Sequence, residues 1–362
     1  MSTTNRYVFI DALRGIAALG VVMHHLFHTT VFTRIYYQIM PIVIKIISDY
    51  GRNGVQIFFV ISGFVIAHSL RNNKLNIKSI FGFIIRRQVR LDPPYWTVII
   101  IMLFYQFVES HLPLVTQPLP SLSAVLLNCF YLQRIFDTTQ ILDVAWTLCL
   151  EIQFYLFFII LLAIGIRLVK PKNNPSVSFA SVGLVLVTGV ISLIIYRYSG
   201  TAKFVWFIFD WFFFAGGVLC YWALHHIVSK WLFFLFITIY IYYILFAIFI
   251  QNSGLDLSIL LAGFVTVITI YVLGYFNKLS VFLKNYFLQY LGKISYSLYL
   301  IHPIVIFFVM RLGYKLTGDN HILALGWYIL AFFATFIAAH FLYKFVERPS
   351  MNFSSRIKGI LT

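Results

Sequence analysis

Asp11, Arg14 and His25 stand in the first apolar run of this chain, between Ile10-Asp11-Ala12-Leu13-Arg14-Gly15 and Met23-His24-His25. Ionisable groups inside a membrane segment face the protein interior, find partners and mark a functional path. Read as a helix, the run turns Arg14 and His25 through about 1100°, so they return to within roughly 20° of one direction, roughly 16 Å apart along the axis. Asp11 lies one turn before Arg14 on nearly the same face, and His24 points elsewhere. Histidine is the side chain that exchanges protons near neutral pH, and an arginine along the same stripe supplies fixed positive charge. Asp11 lies about 21 Å from His25 at 1.5 Å per residue, so it serves Arg14 or the helix start rather than the histidine.

Other stretches place chemistry on apolar ground. Trp146-Thr147-Leu148-Cys149-Leu150-Glu151-Ile152-Gln153-Phe154-Tyr155 carries an intramembrane carboxylate with no basic neighbour in sequence. Another helix must meet its charge, or it stays protonated, and either suits a group that orients a histidine. Arg86, Arg87 and Arg90 cluster ahead of Pro93-Pro94, and arginine forks match phosphate oxygens. The spacing predicts that they mark a helix start, with the two prolines as breakers, at the mouth of a site for a phosphate-rich ligand. Gly54 and Gly63 allow close helix approach, with Gln56 and Ser62 as polar groups between them. In Leu291-Gly292-Lys293-Ile294-Ser295-Tyr296-Ser297-Leu298-Tyr299-Leu300-Ile301-His302-Pro303, Pro303 frees a backbone carbonyl beside His302. Glu347-Arg348-Pro349 reads as a structural acid–base pair closing a helix, and His28, His68, His111, His225, His226 and His340 as background.

The elements that must position these residues are membrane helices. Of 362 residues, 61% are hydrophobic and 10% charged, against about 25% charged in soluble domains. Apolar runs predict an all-α bundle of about ten spans, near 8–28, 54–70, 88–108, 146–168, 177–197, 203–224, 231–250, 257–276, 288–310 and 325–345. The stretch 121–135 is too short to span and reads as an interfacial or re-entrant segment. The first span carries Asp11 and Arg14 and no small-residue cleavage site, so it is not a signal peptide. One membrane domain is expected over 1–350, then a short tail over 351–362. Cys129, Cys149 and Cys220 have no paired spacing and give no sign of a disulfide or a metal site. The net charge of +16 is explained by basic loops facing an anionic leaflet rather than by nucleic acid. Arg71, Lys74, Lys78, Arg86, Arg87, Arg90, Arg167, Lys170, Lys172, Lys230, Lys278, Lys284, Arg348, Arg356 and Lys358 fall on one side, so both termini are expected in the cytoplasm. His25 and Glu151 then lie toward the external side and the arginine cluster at the inner mouth.

The motifs Asp11-Ala-Leu-Arg14-Gly to His25, Gly54-Val-Gln56 to Ser62-Gly63, Arg86-Arg87 to Pro93-Pro94-Tyr95, Trp146 to Glu151 and Tyr155, Ser295 to His302-Pro303, and Glu347-Arg348-Pro349, in this order, resemble the acyltransferase 3 family. That family includes O-antigen, exopolysaccharide and nodulation-factor O-acetyltransferases. The resemblance implies an integral membrane enzyme of about ten helices moving an acyl group, usually acetyl, onto a sugar hydroxyl. It implies that His25 is the essential histidine, with Arg14 and Glu151 as catalytic partners. It assigns Arg86, Arg87 and Arg90 to the phosphates of a cytoplasmic acyl-CoA donor. Asp11, Gln56, Ser62, Trp146, Tyr155, Ser295 and His302 are expected to support substrate or structure, with no metal. Gln56, Asp92 and Ile152 depart from the family's usual Asp, aromatic and second Glu. The resemblance is to the stand-alone branch without a hydrolase-like domain, and the chain is expected in an inner or plasma membrane. His25 either deprotonates the acceptor for direct transfer or is itself transiently acylated. The alternatives are a lipid or small-molecule acceptor, and a transporter or scaffold, although no inverted repeat of the transporter kind is present.

Overall fold

A computed structural model describes residues 7–28, 40–71, 77–110, 119–171, 174–199, 205–249, 256–318 and 320–361. Lys74, His111 and Lys172 lie outside the described residues. The described chain is helical, with no strand. The helices are α1 (Val8–His28), α2 (Ile42–Gly51), α3 (Gly54–Leu70), α4 (Ile77–Ser110), α5 (Leu122–Cys129), α6 (Trp146–Leu168) and α7 (Phe179–Ile195). They continue as α8 (Trp211–Leu224), α9 (Lys230–Phe249), α10 (Leu257–Tyr275), α11 (Tyr286–Thr317), α12 (His321–Leu342) and α13 (Arg348–Leu361), with a π turn at Tyr343–Glu347. Among the described residues eight helices are long and apolar enough to cross a membrane, and the pair α2 and α3, bent by 50°, makes a ninth. The apolar α8 is shorter. The protein is an all-helical integral membrane protein; of the ten expected spans eight or nine are long enough among the described residues, and 203–224 yields only the short α8.

Three boundaries differ from expectation. Helix α4 begins eleven residues earlier than the span predicted from 88, so the arginines lie inside it and Pro93 and Pro94 do not end it. A proline pair costs the helix two donors, but side chains anchor it on both sides. Tyr296 donates to the Leu91 carbonyl at 2.8 Å, and Tyr95 donates to the Asn128 carbonyl at 2.9 Å. At 34 residues the helix is about 50 Å long, well beyond a hydrocarbon core of about 30 Å. Helix α2 was not expected, because ten residues leave too short a pattern to read. Helix α8 starts only at Trp211, after a 3₁₀ turn at Phe207–Phe209.

The chain forms two compact units, one of Met1–Arg14, Val55–Phe81 and Thr147–Gln289, the other of Gly15–Gly54, Gly82–Trp146 and Tyr290–Thr362. The first unit is built around α8, whose residues Trp211 to Ala223 are all buried. Apolar side chains run all round this helix, as a helix enclosed by others requires. A Cβ at Gly63 would strike the Phe214 carbonyl, and one at Gly217 the Val60 carbonyl, so α3 and α8 touch backbone to backbone. In the second unit α1 is packed as closely. A Cβ at Gly15 would lie 2.8 Å from the Gly292 nitrogen, and Gly20 and Gly51 bring α1 and α2 together.

Candidate active site

His25 belongs to the second unit and is half-buried. Its Nδ1 donates to the Val21 carbonyl at 2.9 Å. A carbonyl only accepts, so in the neutral ring the proton sits on Nδ1 and the lone pair on Nε2, the arrangement of a base or nucleophile. Its own helix therefore fixes the His25 tautomer, a task the sequence reading gives to Glu151. The His302 ring lies 4.8 Å from the His25 ring, centroid to centroid, at 64°.

Helix α11 carries His302 on a motif in which each polar group is a strut. Ser295 donates to the Gly292 carbonyl at 3.0 Å. Ser297 donates to Glu347 from Oγ at 2.5 Å and from its backbone at 3.2 Å. Tyr299 donates to the Val144 carbonyl at 3.1 Å. With the bond from Tyr296 to the Leu91 carbonyl, these fix α11 to α4, to the turn before α6 and to the π turn, so the position of His302 is determined by its neighbours on the motif. Glu347 is buried in this role, as its structural reading expects.

His28, read as background, and His24, read as pointing elsewhere, are less idle. His28 Nε2 meets Asp49 at 3.0 Å, and Ser48 Oγ bonds His28 Nδ1 at 2.9 Å. His24 Nδ1 donates to the Ser48 carbonyl at 2.8 Å. Together they clamp α2 to the last turn of α1 beside His25. No spacing signal announces this, because the partners sit on the short helix that the apolar pattern does not reveal.

Glu151 belongs to the first unit. Ser62 donates to its Oε1 at 2.7 Å, and Tyr155 donates to the same oxygen one turn on. Three predicted residues thus meet at one carboxylate. The close contact at Gly63 holds α3 where its neighbour Ser62 can reach. Gln56, also in this unit, is buried with no partner for its Oε1 among the described residues. His225 and His226 line a cavity of about 460 Å³ with Lys170 and Asn174. Asp11 and Arg14 are half-buried on α1, and Trp146 is half-buried at the start of α6.

Arg86, Arg87 and Arg90 are half-buried along α4 in the second unit, and Ser354 of α13 donates to the Arg86 carbonyl at 2.7 Å. A largely apolar cavity of about 500 Å³ lies along the α4 face of Gln88, Asp92 and Trp96, against Pro349 and Phe353. Arg86 is about 200° around the helix from Gln88, so the arginines and this cavity occupy different faces. Burial beside Tyr296 and Asp92 holds the Tyr131 phenol above its ordinary range. It remains protonated and donates to Asp92 at 2.8 Å. Among the described residues no three metal-ligating side chains converge.

Comparison with known proteins places this arrangement. The acyltransferase domain family matches residues 7–344. The O-acetyltransferase OatA of Staphylococcus aureus is 26% identical over 94% of this chain and 56% of its own length. The peptidoglycan O-acetyltransferase OatA of Listeria monocytogenes is 28% identical over 96% of this chain and 57% of its own. The chain thus spans a little over half the length of these relatives. No solved structure matches it. With the six motifs in order and the family matched along nearly the whole chain, this protein belongs to the acyltransferase 3 family.

Proposed function

We propose that this chain is a membrane-embedded O-acyltransferase that moves an acetyl group from acyl-CoA to a hydroxyl of an envelope carbohydrate. The observation that carries the reading is His25, an imidazole inside an apolar helix with Nδ1 committed to Val21 and its lone pair on Nε2. Acyl transfer from a thioester to a hydroxyl needs such a group near neutral pH. The relatives' names supply the acceptor class, since they act as O-acetyltransferases and one on peptidoglycan.

The remaining roles follow from charge and chemistry. Arg86, Arg87 and Arg90 hold the phosphates of the donor, and Arg14 supports the route with fixed positive charge. Glu151, held by Ser62 and Tyr155, supplies a carboxylate to the transfer. The lysine and arginine distribution supports cytoplasmic termini, hence a cytoplasmic donor and an outward-facing acceptor. Mass spectrometry of envelope glycans from cells with and without the gene tests the reading. An acetyl increment present only with the gene is expected. Identical glycans, with the protein present in the membrane, would overturn it.

A further inference from the structure

In the first unit the α6–α7 and α8–α9 connections border a cavity of about 460 Å³. Lys170, Asn174, His225 and His226 are on its polar side, and Val182 and Leu232 are part of its apolar wall. Both connections are fixed from within the unit. Ser176 donates to the Leu70 carbonyl, at the end of α3, at 2.6 Å. His225 Nε2 pairs with the Tyr7 hydroxyl at 3.0 Å, and its ring lies 4.3 Å from that of Tyr221. His226 follows α8 with φ at 54°, a left-handed conformation for which glycine is the default. Keeping a side chain there has a cost, and the side chain kept is an imidazole on the cavity wall.

The polar groups here suit an anion. Lys170 carries a full positive charge. Asn174 commits its Oδ1 to the Ser176 backbone at 2.9 Å, which leaves its NH2 to donate. Ser178 and Phe179, where α7 begins, also line the cavity, and a helix start adds partial positive charge. Burial, and then the nearby Arg71 and His226, hold the His225 imidazole below its ordinary range. Among the described residues no carboxylate lines the cavity or pairs with Lys170, His225 or His226.

Location narrows the anion. The cavity lies where α6 ends and where α7 and α9 begin, three helices long and apolar enough to cross a membrane. That is the depth of lipid headgroups. Phe179 and Trp231, on the first turns of α7 and α9, are 77% and 71% exposed, and aromatic side chains collect at the membrane–water boundary. A small soluble anion gains nothing from the apolar wall. A lipid sets its phosphate among the basic groups and its first methylenes against Val182 and Leu232.

We propose that this cavity binds the phosphodiester headgroup of an anionic membrane lipid through Lys170, Asn174, His225 and His226. It uses none of the residues assigned above to acyl transfer. The test places the full chain in phosphatidylcholine nanodiscs with a trace of phosphatidylglycerol that carries a diazirine close to the glycerol. After irradiation, mass spectrometry locates the label. Label is expected in peptides covering 177–182 and 225–232, competed by unlabelled phosphatidylglycerol and not by millimolar inorganic phosphate. His226→Asn keeps a residue that accepts the left-handed conformation, and Lys170→Gln removes the charge. The double variant K170Q/H226N is expected to lose about tenfold of the labelling, whereas K315Q, in the second unit, keeps it. Equal labelling of those peptides by a diazirine phosphatidylcholine overturns the proposal, and so does label with no enrichment in them. Displacement by inorganic phosphate overturns the lipid as occupant. Labelling of the double variant within about twofold of wild type overturns the residue assignment. The comparison of the two lipids on wild type decides even where the variant does not fold.

Discussion

The Ser62 hydroxyl has a definite partner in its own unit. It lies 2.7 Å from Glu151 Oε1, and a hydrogen bond to a charged group contributes about 1.5–3 kcal/mol. Ser62→Ala is expected to lower kcat roughly tenfold, with melting temperature little changed, measured as acetyl transfer by purified protein. Arg87→Ala is expected to raise the KM for acetyl-CoA about tenfold with kcat nearly intact, because a phosphate contact binds ground and transition state alike. Single residues were readable where their type conflicts with their surroundings: His25, Glu151 and the arginines stand out of apolar helices. The pairing of His25 with His302 was not readable, because nearly the whole chain separates them. Nor was the clamp of His24 and His28 on Ser48 and Asp49, which needs a helix too short to show a period.

At the scale of helices, contact is governed by missing side chains. Gly63 and Gly217 let α3 and α8 meet backbone to backbone, which holds Ser62 within reach of Glu151. Gly63→Ala is expected to destabilise the fold by about 1–3 kcal/mol, as overpacking does, and to lower activity with it. Gly183→Ala on α7, where an added Cβ meets nothing within 4 Å, is the control. It is expected to be neutral or slightly stabilising; thermal unfolding in detergent compares the two. Long helices were legible because apolar length alone defines them, as at Val8–His28 and Trp146–Leu168. The arginine motif was misplaced relative to its helix because two prolines signal a break. Here the anchors from Tyr296 and Tyr95 carry the helix through, and a sequence does not announce such partners.

The whole molecule carries a net charge of +16, and the distribution of its basic residues is the ground for the proposed orientation. Single cysteines placed in the loop at Lys278 and in the chain's last residues are expected to react only with permeant thiol reagents in intact cells, as cytoplasmic positions do. Labelling of either by an impermeant reagent would reverse the orientation and the side from which the donor enters. The six motifs identified the family because their order runs the length of the chain, which a single motif cannot do. The proposed reaction turns on His25. The decisive assay incubates the purified chain, wild type or His25→Ala, in nanodiscs with radiolabelled acetyl-CoA and an N-acetylglucosamine oligosaccharide. Label should reach the oligosaccharide with wild type and fall to background with the variant at equal thermal stability. Equal labelling by the two proteins would contradict the assignment of His25 as the chemical centre.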